Sequence, residues 1–132
     1  MIGMILLSGC VMPPAQPVEK SRVISAEYDV VWKAVVSTFA NEGMTIKTMD
    51  KETGVVNATS RQVENTWVGP TRNQIFVSLF KTSNKDVEVS LNVTSEKNSS
   101  KISERWESWG TDSSAYKILL DKIEAAATKK VN

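Results

Sequence analysis

Residues 86–95 alternate without interruption. Val87, Val89, Leu91 and Val93 are apolar, and Asp86, Glu88, Ser90, Asn92 and Thr94 stand between them. Successive side chains of an extended chain point to opposite faces. The segment therefore reads as a half-buried antiparallel strand with a wet outer face. The run before it, 74–81, places Ile75, Val77 and Leu79 on one face and Phe76 and Phe80 on the other. The polar residues 82–85 between the two runs make a turn, so the pair reads as a hairpin.

The dry face of such a sheet needs a cover, and two segments carry helical periodicity. Tyr28, Val31, Trp32, Val35, Val36 and Phe39 share one face of a helix expected over 26–42. Ser25 can cap it, Glu27 and Asp29 suit the dipole of its first turn, and Gly43 supplies the left-handed residue past its end. Trp32 is expected in the core. The second helix is expected over 114–129, capped by Ser113, with Tyr116, Leu119, Leu120, Ile123 and Ala127 as its buried stripe. Lys117, Asp121, Lys122 and Glu124 fall mainly on its solvated side, and Lys129 and Lys130 suit its C-terminal dipole.

Short strands are expected at 22–25, 44–49 and 55–60, the last two joined by an acidic turn that closes on Gly54. Residues 101–109 fit either a strand or a helix. We read a strand, because 97–100 resembles a hairpin turn. The fold class is therefore α+β, an antiparallel sheet of four to six strands with two amphipathic helices on one face. The order is β-α-β-β-β-β-(β)-α, in a single domain spanning 21–130.

The N-terminus carries an address. Residues 1–7 are apolar apart from Gly3, and Leu7-Ser8-Gly9-Cys10 follows. The run is far shorter than the ~20 residues of a membrane-spanning helix and reads as the end of a signal peptide over 1–9. No Lys or Arg precedes it, so the natural start is expected upstream of Met1. Leu-Ser-Gly-Cys resembles the lipobox of bacterial lipoproteins. That resemblance implies cleavage before Cys10 and acylation of its sulfur and its new amino group, the fatty chains, palmitate among them, forming a membrane anchor. In such lipoproteins an Asp after the Cys tends to mark the inner membrane. Val11 stands there, so the resemblance implies the outer membrane, facing the periplasm. Pro13, Pro14 and Pro17 stiffen 10–20 into a tether of about 3 Å per residue.

Composition narrows the function. The chain has 132 residues, no His, one Cys and a formal charge of +1. No basic excess is available for nucleic acid. The commonest general base and metal ligand is missing, and one Cys builds neither a zinc site nor an internal disulfide. Glu104 with Glu107 and Asp121 with Glu124 sit three apart, a spacing that reads as solvated surface. No nucleophile elbow and no glycine-rich phosphate loop occurs. We expect no enzyme activity, no cofactor, no metal and no nucleic-acid partner. The tripeptides at Asn57, Asn92 and Asn98 match a glycosylation pattern that arises by chance.

The stretch 28–59 carries a second resemblance: Tyr-Asp-Val-Val-Trp-Lys-Ala-Val-Val, Asn-Glu-Gly-Met-Thr-Ile, and Asp-Lys-Glu-Thr-Gly-Val-Val-Asn-Ala-Thr. It looks like the helix-grip domains of bacterial envelope lipoproteins, such as the BamC-type lipoprotein of the outer-membrane β-barrel assembly machine. BamC-type chains carry two such domains and this chain has room for one, so the resemblance is to a fold, which does not by itself give a function. With no catalytic constellation in view, we expect a docking or scaffold module in an envelope complex. Helix-grip folds can also open a cavity between helix and sheet, so a module binding a small apolar ligand is the alternative. A pocket lined by Ile, Val and Phe would mark the second, and a filled core the first.

Two segments stand out as candidate interaction sites, because Trp and Arg most often carry interface energy. One is the long connection 61–73, with Trp67 inside it and Arg61 and Arg72 at its ends. The other is 105–110, with Arg105, Trp106 and Trp109. Trp67, Arg105 and Trp109 are the expected contact residues. Trp106 is balanced between core and surface.

Overall fold

The computed structural model describes residues 18–65, 69–98, 105–110 and 113–129. Its elements run β1 (Ser21–Ile24), α1 (Tyr28–Asn41), β2 (Thr45–Asp50), β3 (Val55–Thr59), β4 (Val63–Asn65), β5 (Gly69–Ser83), β6 (Asp86–Lys97), β7 (Glu107–Gly110) and α2 (Ser113–Thr128). All pairings are antiparallel. The alternating strand of the sequence is β6, and β5 pairs with it from Thr71↔Lys97 to Ser83↔Asp86. The sheet order is β1-β6-β5-β3-β2.

The class is α+β, and the dry face is the one the alternation marks. Val87, Val89, Leu91 and Val93 of β6 and Ile75, Val77 and Leu79 of β5 are buried. They meet Val56 and Ala58 of β3, and Val31, Trp32, Val35 and Phe39 of α1. The stripe of α2 is buried as the periodicity implies: Tyr116, Leu119, Leu120, Ile123 and Ala127. Both helices thus lie on one face and also pack on each other. Among the described residues, no helix lies on the sheet's other face.

The helix boundary differs from the sequence expectation. Ser25 does not cap α1. Glu27 holds the N-cap position without a side-chain cap bond, and the helix begins at Tyr28. The reason is Ile24, whose side chain is fully buried at the end of β1. The chain must then turn back over the sheet, and the Ala26 N–H donates to Ile24 O at 3.0 Å in that turn. Residues 25–27 are spent on the turn.

Among the described residues the sheet has seven strands rather than four to six, because the long connection of the sequence is itself partly extended. β4 pairs with the first residues of β5, Val63↔Thr71 to Asn65↔Gly69. At the other edge β7 pairs with the last residues of β6. Of the strand expected over 101–109, β7 takes 107–109, residues 105 and 106 belong to no strand, and 101–104 lie outside the described residues.

The last residues of the expected tether touch the domain. Leu91 N–H donates to Lys20 O at 2.8 Å, and Glu19 pairs with Arg22 at 2.6 Å.

Candidate functional site

β5 and β6 are longer than the helix layer that covers them. Their far end, 69–73 and 95–97, projects beyond it, with β4 beside β5 and β7 beside β6. A cleft of about 450 Å³ opens there, lined by Ser60, Arg61, Val63, Thr71, Arg72, Asn73, Ser95 and Trp109.

Its floor is built by hydrogen bonds at the end of β3. Ser60 N–H donates to Asn73 O at 2.9 Å, and Asn73 N–H donates to Ser60 Oγ at 2.8 Å. That double link fixes Arg61, the next residue, beside Asn73. Ser95 Oγ in turn donates to Asn73 Oδ1 at 2.8 Å. Thr71 Oγ1 donates to Val63 O at 3.3 Å, tying β4 to β5 by a side chain as well as by the ladder.

The two arginines stand in different electrostatic settings. Arg72 Nε is 2.8 Å from Glu96 Oε1, an ion pair that is only about one fifth exposed on either side. Its guanidinium carbon lies 3.9 Å from the centre of the Trp106 ring, stacked on the indole. Gln74 Nε2 adds a second donor to the same Glu96 oxygen at 3.2 Å. Arg61 is exposed and has no carboxylate within ion-pair distance among the described residues. A Cβ built on Gly43 would lie 2.6 Å from Arg61 Nε, so the guanidinium is laid against the bare backbone of the turn after α1.

Of the residues singled out from the sequence, Trp109 lines the cleft, is 43% exposed, and carries Lys97 Nζ at 5.7 Å from its ring centre. Arg61 and Arg72 come to the same cleft. Arg105 is exposed and is not among its lining residues. Trp67 and Cys10 lie outside the described residues. Trp106 is half-buried over Arg72, between the two alternatives left by the sequence. Sequence reasoning missed Asn73, Ser95 and Glu96. Their polarity was plain, but the β5–β6 register that gathers them was not.

The bare face of the sheet is the second feature. Cross-strand partners share a face, so the register sets Thr48, Asn57, Phe76 and Asn92 in one row. Phe80, Glu88 and Val23 form another. Phe76 is 47% exposed and Phe80 66%. A further cleft of about 580 Å³ is lined by Glu27, Tyr28, Asp29, Glu52, Thr53, Leu79, Phe80, Lys81 and Asn84. Neither cleft is lined mainly by Ile, Val and Phe.

No family model matches the chain, and no curated protein matches it. Among solved structures it is similar to a TBP-like protein from Parabacteroides distasonis ATCC 8503, at 11% identity and a TM-score of 0.49. That likeness covers 89% of this chain and 98% of the other. The α+β class rests on the sheet order and the helix layer themselves.

Proposed function

We propose that the protein is a non-enzymatic outer-membrane lipoprotein whose domain faces the periplasm and acts as a docking or scaffold module in an envelope complex. Cys10 carries the lipid, the Pro-rich segment spaces the domain from the membrane, and the domain supplies the specificity. The single observation that carries the docking part is the sheet face that no described helix covers, where Phe76 is 47% and Phe80 66% exposed among mostly polar neighbours such as Thr48, Asn57, Asn92 and Glu88. Exposed aromatic residues within a polar rim are the composition of protein interfaces. That neither cleft is lined mainly by Ile, Val and Phe supports this reading over a carrier of apolar ligands.

Photocrosslinking in intact cells tests it. A photoreactive aromatic residue replaces Phe76 in one strain and Ile118 in another. The two sites are 47% and 49% exposed, on the sheet face and on α2 respectively. The expected result is a discrete adduct with an envelope protein from position 76 and none from 118. No adduct from 76, or the same adducts from both, contradicts the docking face.

A further inference from the structure

The cleft at the end of the sheet holds donors that the fold does not use. Arg72 is matched by Glu96, and among the described residues no carboxylate lines the cleft. Arg61 is therefore the unmatched charge there among the described residues, and its guanidinium lies against the Gly43 backbone. Asn73 accepts from Ser95 through Oδ1, which leaves Nδ2 as a donor with no acceptor among the described residues. The reciprocal Ser60–Asn73 bonds keep these two groups side by side.

A guanidinium next to an amide N–H₂ suits an oxyanion, with charge-assisted bonds to both oxygens. One unmatched cation balances one negative charge. That favours a carboxylate over a phosphate monoester, which carries about −1.5 to −2 near neutral pH. The half-exposed indole of Trp109 on the wall offers an apolar face for a ring's C–H edge. Thr71 and Ser60 hydroxyl oxygens keep lone pairs for hydroxyl donors. A volume of about 450 Å³ falls within the range of small-ligand sites, about 300–1,000 Å³.

We propose that this cleft binds a carboxylated sugar. The carboxylate sits on Arg61 and Asn73 Nδ2, and the ring lies against Trp109. The site is separate from the docking face and does not depend on it.

The test is a titration of the isotope-labelled full chain with glucuronate, followed by NMR at the Trp109 indole N–H and the Asn73 side-chain amide. Saturable shifts in the millimolar range are expected at both. Glucose and inorganic phosphate at equal ionic strength should bind at least about tenfold more weakly, the scale of one lost charge-assisted bond. Arg61→Gln should bring glucuronate down to the level of glucose with the rest of the spectrum unchanged. Arg61→Lys should keep part of the binding, and Trp109→Ala should weaken both sugars. Absence of saturation, equal binding of glucose or phosphate, or an Arg61→Gln variant that binds as the parent does would each overturn the proposal.

Discussion

At the scale of single residues, Gly54 and Tyr116 show how much of the fold hangs on atoms rather than on pattern. Gly54 sits at φ +76, and a Cβ there would come within 2.5 Å of Leu79 O and 2.8 Å of the Tyr28 hydroxyl. The close approach is used: Leu79 N–H donates to Gly54 O at 2.7 Å, stitching the β2–β3 turn onto β5. Gly54→Ala is expected to lose about 1–3 kcal/mol or more, since left-handed strain alone is of that order and a backbone carbonyl blocks the methyl. Urea unfolding measures it. Tyr116 is 2% exposed, and its hydroxyl accepts from the Val93 N–H at 2.9 Å. β1 pairs with β6 only as far as Ser90, and β7 pairs from Ser95. The tyrosine therefore satisfies the β6 edge in the gap between them. Tyr116→Phe should cost about 1–3 kcal/mol, the penalty of a buried donor left unpaired. A loss below about 0.5 kcal/mol would mean that water replaces the hydroxyl.

Whole elements are held by the apolar stripe of α2 and by one clamp of charge. Leu120 is fully buried, and Leu120→Ala is expected to cost about 2–5 kcal/mol, read from the shift of the urea midpoint. The clamp is Arg22 on β1. Its guanidinium reaches Asp121 at 2.8 Å and Glu124 at 3.0 Å on α2, and Glu19 at 2.6 Å. The Arg22 hydrogen bond holds the Glu19 carboxyl below its ordinary pKa. Lys117 first and Arg22 second do the same for Asp121. A carboxyl whose folded pKa is depressed contributes stability that is present above its unfolded value, near 4. That stability is lost as pH falls through the folded value. The domain should therefore weaken as pH drops below about 4, and Arg22→Met should make that drop shallower. The effect is modest because these carboxylates face water. Thermal midpoints at pH 7 and pH 3 check it; an equal drop in both proteins would contradict the clamp.

These elements also show what a sequence can and cannot disclose. The faces of β5, β6 and α2 were legible because periods of two and 3.6 residues record burial directly. The start of α1 was not, because Ser25 has the chemistry of a cap but the geometry of the turn after Ile24 spends it elsewhere. β4 was hidden because three residues are too few to show a period. The cleft was half legible: Trp109 and the two arginines stood out by type. Their partners Asn73, Ser95 and Glu96 are ordinary strand residues that only the register brings together.

At the scale of the whole molecule, the anchor proposed at Cys10 would serve a domain with one helix-covered sheet face and one that no described helix covers. Among the described residues the first contacts with the domain are those of Glu19 and Lys20, and a chain started at Val18 should keep a single cooperative thermal transition. Loss of cooperativity would show that earlier residues belong to the fold. The central claim is that Cys10 ties this domain to the outer membrane, and fractionation tests it most directly. Cells expressing the chain behind a basic start are compared with cells expressing its Cys10→Ala variant. The parent should sediment with the outer membrane, and the variant should appear in the soluble fraction or as uncleaved precursor in the inner membrane. A variant that stays in the outer-membrane fraction as fully as the parent would contradict the anchor.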